Sequence, residues 1–354
     1  MTLDELKNTL AQGMPVMKID LSGMDFSNES LEGAVFLDCN LSRCDFSSAN
    51  LERVVFTQCQ LVGARFIDSG LQQTSIIECD MEKSEFSGKI EAATICNSSL
   101  LHSRWDKVEL DKATVTGCDI SESIFDQCFF QTSILMECPS NNTILDQCTF
   151  YNVTWTKADF TSTTMNQCDI NQVLFLESTF VKKDFSNTVF TRCTCNDSVF
   201  EECLFVKANM VETNLSKCKL VACRFDGAQL QRGLFIESQV QQCTFSDAAL
   251  EGANFQDAIV NDSSFTKAVL KDAWMKGLLA KTSQFNQADL SGANLSHSIL
   301  DYCSFNKVNA QRAIVHNMQE SECDWSGANK RDIVTTEPDQ KAVDDKLQAR
   351  GIAL

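Results

Sequence analysis

One spacing constrains this chain more than any other feature: a large apolar residue recurs at every fifth position. From Leu21 to Phe86 it fills 14 consecutive positions, all with Leu, Ile, Met or Phe. One residue is then missing from the count, and a second run from Ile90 to Trp325 has 48 positions, of which 43 are large and apolar. Only 44% of the chain is hydrophobic even when Ala, Cys and Tyr are counted, so chance does not explain the pattern. The chain is therefore an array of five-residue repeats, and this array must be recognised before local elements are assigned.

The repeat also dictates a geometry. A small residue stands two positions before each large one, as Cys59 does before Leu61. In an extended segment, residues two apart point to the same side, so this pair faces inward and the three remaining, mostly polar positions face water. A straight strand would place the next pair on the wrong side after five residues. The chain must therefore turn once per unit, and a few such turns close a coil.

Units such as "ADFTS", "ANLSH", "CDFSS", "ANLER" and "ADLSG" resemble the repeat of the pentapeptide-repeat family, which reads small, Asp or Asn, Leu or Phe, polar, variable. The resemblance covers residues 19–327, or 62 units. It implies an all-β fold, a right-handed quadrilateral β-helix with four units per coil, so 62 units make about 15 coils. Solenoids of this kind need capped ends.

Residues 1–18 are predicted to form an N-terminal capping helix and a lead-in to the repeat. Thr2 is the expected N-cap, Glu5 stands three residues later, and Gly13 is placed where a helix would end.

Residues 328–354 are predicted to form a C-terminal tail with a second helix. Val343 and Leu347 are four residues apart and would share one face of that helix. One interpretation is that this face covers the last coil. The alternative is dimerisation through Val343 and Leu347, because some members of the family pair end to end.

The 18 cysteines predict packing rather than chemistry. Sixteen of them occupy the small inward position, the exceptions being Cys96 and Cys195. A free cysteine packs as a small hydrophobe, and parallel side chains on neighbouring coils do not converge as a disulfide requires. We expect unligated thiols, no cofactor and no metal. The abundance of thiols also favours a reducing compartment, and the cytoplasm is the predicted location.

The sequence shows no catalytic constellation, so a non-enzyme is predicted. The histidines, His102, His297 and His316, are far apart in sequence and lie outside the inward positions. Nothing resembles a nucleophile elbow, a phosphate loop or a zinc-binding helix. No apolar run is long enough to span a bilayer, and no signal peptide is recognisable, so no membrane contact is expected.

The net charge of −18 is unevenly distributed. Residues 1–180 contain 26 acidic and 11 basic residues, whereas residues 181–354 contain 22 and 19. Direct binding of nucleic acid is not expected, because phosphate contacts require clustered Lys and Arg. An acidic β-helix could instead imitate DNA and modulate or protect a type II topoisomerase, as is thought of the quinolone-resistance members of the family. Loops are expected at residues 87–92, at residues 138–142 and around Glu320.

Apolar residues at outward positions predict that the chain is a protein-interaction scaffold, and the sequence does not identify its partner. Phe129 is the one Phe, and Trp274 the one Trp, that lies outside the large inward position. The candidate interaction residues stand directly before a large position and are Ile124, Phe129, Ile134, Ile144, Leu234, Ile259, Trp274, Leu279, Ile299 and Ile314. Contiguous exposed apolar surface usually marks an interaction site, although flat walls also tolerate aliphatic residues. A further alternative is an accessory protein of a type VI-like secretion system, which the opening "TLDELKNTLAQGMPVMKIDLSGMDFS" resembles.

Overall fold

The computed structural model describes residues 2–335 and the pair Lys346 and Leu347. The described chain is a β-solenoid of about 15 turns, which confirms the predicted fold class. Its contacts divide it into two compact units, Met1–Lys183 (unit 1) and Asp184–Leu354 (unit 2). The predicted C-terminal helix, with Val343, lies outside the described residues apart from Lys346 and Leu347, which are helical.

The helix Leu3–Ala11 begins where the sequence predicts. The Glu5 N–H donates to Thr2 Oγ1 at 3.3 Å, and the Thr2 N–H donates to Glu5 Oε2 at 2.7 Å, which completes the predicted capping box. Leu6 is the fully buried residue of this helix. Gly13 follows the helix with φ of +69°.

Unit 1 contains a parallel sheet of nine strands, which we call the nine-rung wall. Neighbouring strands come from successive coils, so that Phe36 pairs with Phe56, 20 residues later. The strands of the wall are Val16–Met17, Val35–Leu37, Val55–Thr57, Ser75–Ile77, Thr94–Cys96, Thr114–Thr116, Ile134–Met136, Thr154–Thr156 and Leu174–Leu176.

Two further walls of unit 1 share a second parallel sheet. The long strands Glu85–Glu91 and Arg104–Asp111 run around the corner between these walls. The strands on one wall are Arg65–Phe66, Ile124–Asp126, Ile144–Asp146 and Thr164–Asn166. Those on the next wall are Phe129–Gln131, Thr149–Tyr151 and Asp169–Asn171. Thr179–Val181, the last strand of the unit, does not belong to this sheet.

Unit 2 has one continuous sheet, and its remaining sides are joined by single bridges such as that between Asn254 and Trp274. Phe190–Thr191 lies outside this sheet, whose strands within unit 2 are Val199–Glu201, Lys219–Val221, Gln239–Gln241, Ile259–Asn261, Leu279–Lys281, Ile299–Asp301 and Gln319–Ser321.

The three expected loops are wrong, because each segment stays within the solenoid. The missing residue near 88 is absorbed as a bulge between Ser87 and Lys89 inside a strand. Pro139 and Asn141 still accept backbone hydrogen bonds from the preceding coil. Glu320 remains in register with Leu300.

The corners explain the polar positions of the repeat. Ser48, two residues after the large Phe46, has φ of +58°, and the Ala49 N–H closes a four-residue turn by donating to the Phe46 carbonyl at 3.0 Å. The carboxylate of Asp45 accepts a hydrogen bond from the Ser47 N–H at 2.9 Å. An Asp or Asn before the large residue therefore satisfies a backbone donor at the corner.

The inward positions form continuous columns. Phe26, Phe46 and Phe66 stack with ring centroids 5.1 and 5.2 Å apart. The small position next to such a column often carries a hydroxyl or thiol that donates to a carbonyl of the preceding coil, as Ser69 Oγ does to Phe46 at 2.6 Å. Ser, Thr and Cys therefore suit this position because they both pack and satisfy a backbone acceptor.

Candidate interaction surfaces

Trp274 projects outward from unit 2. Its neighbours Ala273 and Met275 are each 1% exposed, whereas Trp274 is 44% exposed. Its backbone is held by the preceding coil, because its N–H donates to the Ala253 carbonyl at 2.8 Å and its own carbonyl accepts from the Phe255 N–H at 2.7 Å. The indole therefore lies on a rigid surface without contributing to the core.

An aliphatic stripe lies around one corner from Trp274. Ile259, Leu279 and Ile299 occupy consecutive rungs of the unit 2 sheet and are 39%, 41% and 40% exposed. Trp274 and Leu279 are separated by the corner at Gly277, where φ is +71°. We call Trp274 and this stripe the Trp274 patch.

Leu234 and Ile314 share the wall of Trp274 but do not adjoin it. Asn254 and Asn294 occupy the intervening rungs. Both amides cap their own corners: Asn254 Oδ1 accepts from Gln256 N at 2.9 Å, and Asn294 Oδ1 accepts from Ser296 N at 3.0 Å. One polar rung therefore separates Trp274 from each aliphatic residue.

The candidates around Phe129 are spread over three walls. Ile124 and Ile144 are rung partners on one wall. Phe129 lies on the next, between Glu109 and Thr149. Ile134 belongs to the nine-rung wall. These residues therefore lie on three different walls of the coil and do not form one face.

The nine-rung wall itself is a surface that the sequence analysis did not recognise. Its 17 outward residues are Met17, Val35, Leu37, Val55, Thr57, Ser75, Ile77, Thr94, Cys96, Thr114, Thr116, Ile134, Met136, Thr154, Thr156, Leu174 and Leu176. None of them is charged, and none is Asn or Gln. The chain has 48 acidic and 30 basic residues among 354, so a random set of 17 would contain about four charged ones. Aligning the sequence in 20-residue columns, with the missing residue allowed for, would have revealed this wall.

The sequence analysis also did not single out Lys183. It stands at a small inward position and is buried, with Nζ donating to the backbone carbonyls of Thr161 and Thr163. Carbonyl acceptors lower the cost of burying an ammonium group. A polar residue at an inward position was the available signal.

The described residues were also compared with the arrangements that metal sites and reactive thiols require. No group of His, Cys, Asp or Glu among them could hold a metal ion. The rings of His297 and His316, distant in sequence, are in edge-on contact with centroids 5.1 Å apart. All 18 cysteines are free, and Cys96 and Cys323 alone are not buried. No helix in the described part of the chain is both long and apolar enough to cross a lipid bilayer.

The profile described as "Pentapeptide repeat region" matches residues 17–86, and "Pentapeptide repeats (8 copies)" matches residues 243–277 and 283–319. The chain is a pentapeptide-repeat protein. A third profile, "SV2A/B/C luminal domain", matches residues 170–245 of this pentapeptide-repeat protein. No curated protein matches it.

Solved structures similar to this pentapeptide-repeat protein include other members of the family. HetL, involved in heterocyst differentiation regulation in the cyanobacterium Nostoc sp. strain PCC 7120, is 19% identical, with 83% of this chain and 96% of that chain covered and a TM-score of 0.18. Full-length QnrB1, a plasmid-mediated fluoroquinolone resistance protein, is 12% identical, with 94% and 98% covered and a TM-score of 0.13. A pentapeptide-repeat protein from the Arabidopsis thaliana thylakoid lumen is 25% identical, with 35% and 71% covered and a TM-score of 0.12.

Proposed function

We propose that this pentapeptide-repeat protein is a non-catalytic scaffold that binds another protein through the Trp274 patch. The observation that carries the proposal is the cluster of four large apolar side chains, each about 40% exposed, at positions where the repeat usually has polar residues. Contiguous exposed apolar surface marks interaction sites, and Trp is enriched among the residues that dominate interface energies.

Folding alone does not account for the indole. Asn254 and Asn294, one coil before and one coil after Trp274, each cap a backbone N–H with the side-chain oxygen. An indole has a donor and no oxygen acceptor, so Trp274 cannot make this bond. Asn would therefore suit the fold better at this position, and a Trp that folding does not require supports a role in binding.

The proposal predicts that Trp274→Asn leaves the melting temperature unchanged or raises it, because Asn restores the corner cap. Binding of a partner should weaken about 30-fold or more, since truncating a central interface Trp commonly costs about 2 kcal/mol or more. Tyr151→Asn is the matched control, because Tyr151 is an outward aromatic residue of unit 1 with 41% exposure.

The measurement has two steps. Proteins captured from a native lysate by the wild-type chain are identified by mass spectrometry and purified. Their affinities for the wild type, Trp274→Asn and Tyr151→Asn are then measured by calorimetry. Equal affinities for all three chains, or a Trp274→Asn chain that melts far below the wild type, would contradict the proposal.

The two alternatives remain predictions from the sequence. A DNA mimic would use the acidic excess of residues 1–180, which includes Asp106, Asp126 and Asp146 on consecutive rungs. Supercoiling by a type II topoisomerase, with and without the purified chain, tests that idea. For the secretion-system alternative, no described contact adds to the resemblance of the opening segment.

A further inference from the structure

We infer that the nine-rung wall of unit 1 is the face through which two copies of this chain stack on each other. The inference is independent of the Trp274 patch, because every residue of the nine-rung wall lies in residues 16–176 and the patch lies in unit 2.

The distribution of charge in unit 1 favours contact through this wall. Residues 1–183 contain 26 acidic and 13 basic residues, a balance of −13. Two copies therefore repel each other at most orientations whenever their surfaces come within a Debye length of about 10 Å. The 17 outward residues of the nine-rung wall carry no charge, so this is the broad face on which a second copy meets the fewest carboxylates.

The corner that follows the wall is less neutral. Asp38, Glu78, Glu137 and Glu177 stand there on different coils. Of these, Glu137 is paired with Lys157, Oε1 to Nζ at 2.8 Å. A stack of two copies would bring such acidic edges near each other. Added salt should therefore strengthen the contact, whereas salt would weaken a contact with a basic partner.

The nine-rung wall is also of a size that suits a stable interface. Nine rungs at a strand spacing of roughly 4.8 Å extend over about 40 Å. The 17 outward residues, together with those at the two edges of the wall, reach the 20 to 30 residues that one side of a stable interface usually contributes. Nine of the 17 are Val, Ile, Leu or Met, whose transfer out of water is favourable. The wall is large enough to hold a dimer.

Two-fold symmetry determines which residues of the wall would meet. A homodimer contact is normally two-fold, so each residue meets a symmetry-related position. In an antiparallel stack with full overlap, the first rung faces the ninth and the fifth faces itself. The fifth rung is Thr94–Cys96, and Cys96 is the cysteine that this wall directs outward. The stack therefore places Cys96 opposite Cys96 of the second copy.

The test measures association of the full chain by sedimentation and light scattering over a range of protein concentrations. Met136→Lys introduces a charge on the wall, and Ile144→Lys introduces the same charge on a different wall at matched exposure, 38% against 36%. We expect a wild-type dimer that tightens when NaCl is raised from about 0.05 to 0.5 M. Met136→Lys should weaken it at least tenfold, and Ile144→Lys should leave it unchanged.

Cross-linking with a short bis-maleimide locates the contact. A cross-linked dimer should form with the wild type and with Cys323→Ser, and should be lost with Cys96→Ser. Melting curves establish whether each variant folds. If Met136→Lys does not fold, Thr116→Lys places the same charge on the nine-rung wall instead. A wild type that stays monomeric at every concentration overturns the inference. A dimer whose affinity is unchanged by Met136→Lys, or one that is cross-linked through Cys323, also overturns the inference. Neither result bears on the proposed role of the Trp274 patch.

Discussion

At the scale of the residue, the five positions of the unit have separate physical tasks. The large residue fills the core, the small residue two positions earlier packs beside it, and an Asp or Asn between them caps the corner, as Asp45 does. The corner residue has positive φ and is rarely glycine in this chain, so the coil itself stabilises a backbone conformation that costs roughly 1 kcal/mol elsewhere. Substitutions at different positions of one unit should therefore differ strongly in effect.

Phe235 and Gln241 provide that comparison. Phe235 is fully buried and stacks on Phe255, with ring centroids 4.4 Å apart, whereas Gln241 is exposed. Phe235→Ala should lower the free energy of unfolding by about 3–5 kcal/mol. Gln241→Ala should change it by less than about 0.5 kcal/mol. Denaturant titration measures both, and similar shifts of the midpoint would show that the inward face has been misassigned.

At the scale of the element, the interruption of the repeat shows how much the coil tolerates. One residue is missing between Phe86 and Ile90, yet the strand Glu85–Glu91 is continuous. Gly88 absorbs the loss with φ of +84°, and Ser87 fixes the bulge through hydrogen bonds with Asp68, of which the bond from Asp68 N to Ser87 Oγ is 3.0 Å. A bulge beside a tightly packed neighbouring coil leaves no room for a side chain.

Gly88→Ala tests the packing at this bulge. A Cβ on Gly88 would lie 3.1 Å from Asp68 Cα, whereas a Cβ on Gly23 would meet nothing within 4 Å at a similar φ of +73°. Gly23→Ala therefore measures the cost of positive φ alone, about 1–2 kcal/mol. Gly88→Ala should cost at least about 1 kcal/mol more, because backbone must move. Equal unfolding free energies for the two variants would mean that the backbone around Asp68 can move to accommodate the added Cβ at almost no cost in free energy.

These elements also show what the sequence could and could not predict. The solenoid was predictable because each unit is local and repeated many times, and the capping box was predictable because Thr2 and Glu5 are three residues apart. The expected loops were wrong because a register break in sequence can be absorbed by one glycine and a bulge. Trp274 is separated from Leu234 and Ile314 by one polar rung on each side. This separation is visible in the sequence only when every residue at 20-residue intervals, including Asn254 and Asn294, is compared.

At the scale of the whole molecule, the cysteines couple stability to pH. Sixteen of the 18 thiols are buried. Burial raises the pKa of Cys44 to about 11 and those of Cys118 and Cys218 to about 12, from an ordinary value of 9.0. The thiolate form is disfavoured in the folded chain because it would leave water for an apolar core.

The sign of the resulting effect follows from proton binding. Above about pH 9 the thiols of the unfolded chain lose protons while those of the folded chain keep them, so the unfolded state binds fewer protons and stability falls as pH rises. The contribution of these thiols is fully present below pH 9 and is lost as pH rises towards 11 to 12. Each thiol adds a slope of up to about 1.4 kcal/mol per pH unit over this range.

Replacing all three, Cys44→Ala, Cys118→Ala and Cys218→Ala, should therefore make the alkaline loss of stability shallower. Alanine already occupies the same position of the unit at Ala49, so the substitution suits the coil. The free energy of unfolding is measured by denaturant titration between about pH 8 and 10.5 under a reducing agent. The slopes of the triple variant and the wild type are compared, because the substitutions also change stability at neutral pH. The lysines and tyrosines are the same in both chains, so identical slopes would mean that these thiols ionise in the folded chain as readily as in the unfolded one.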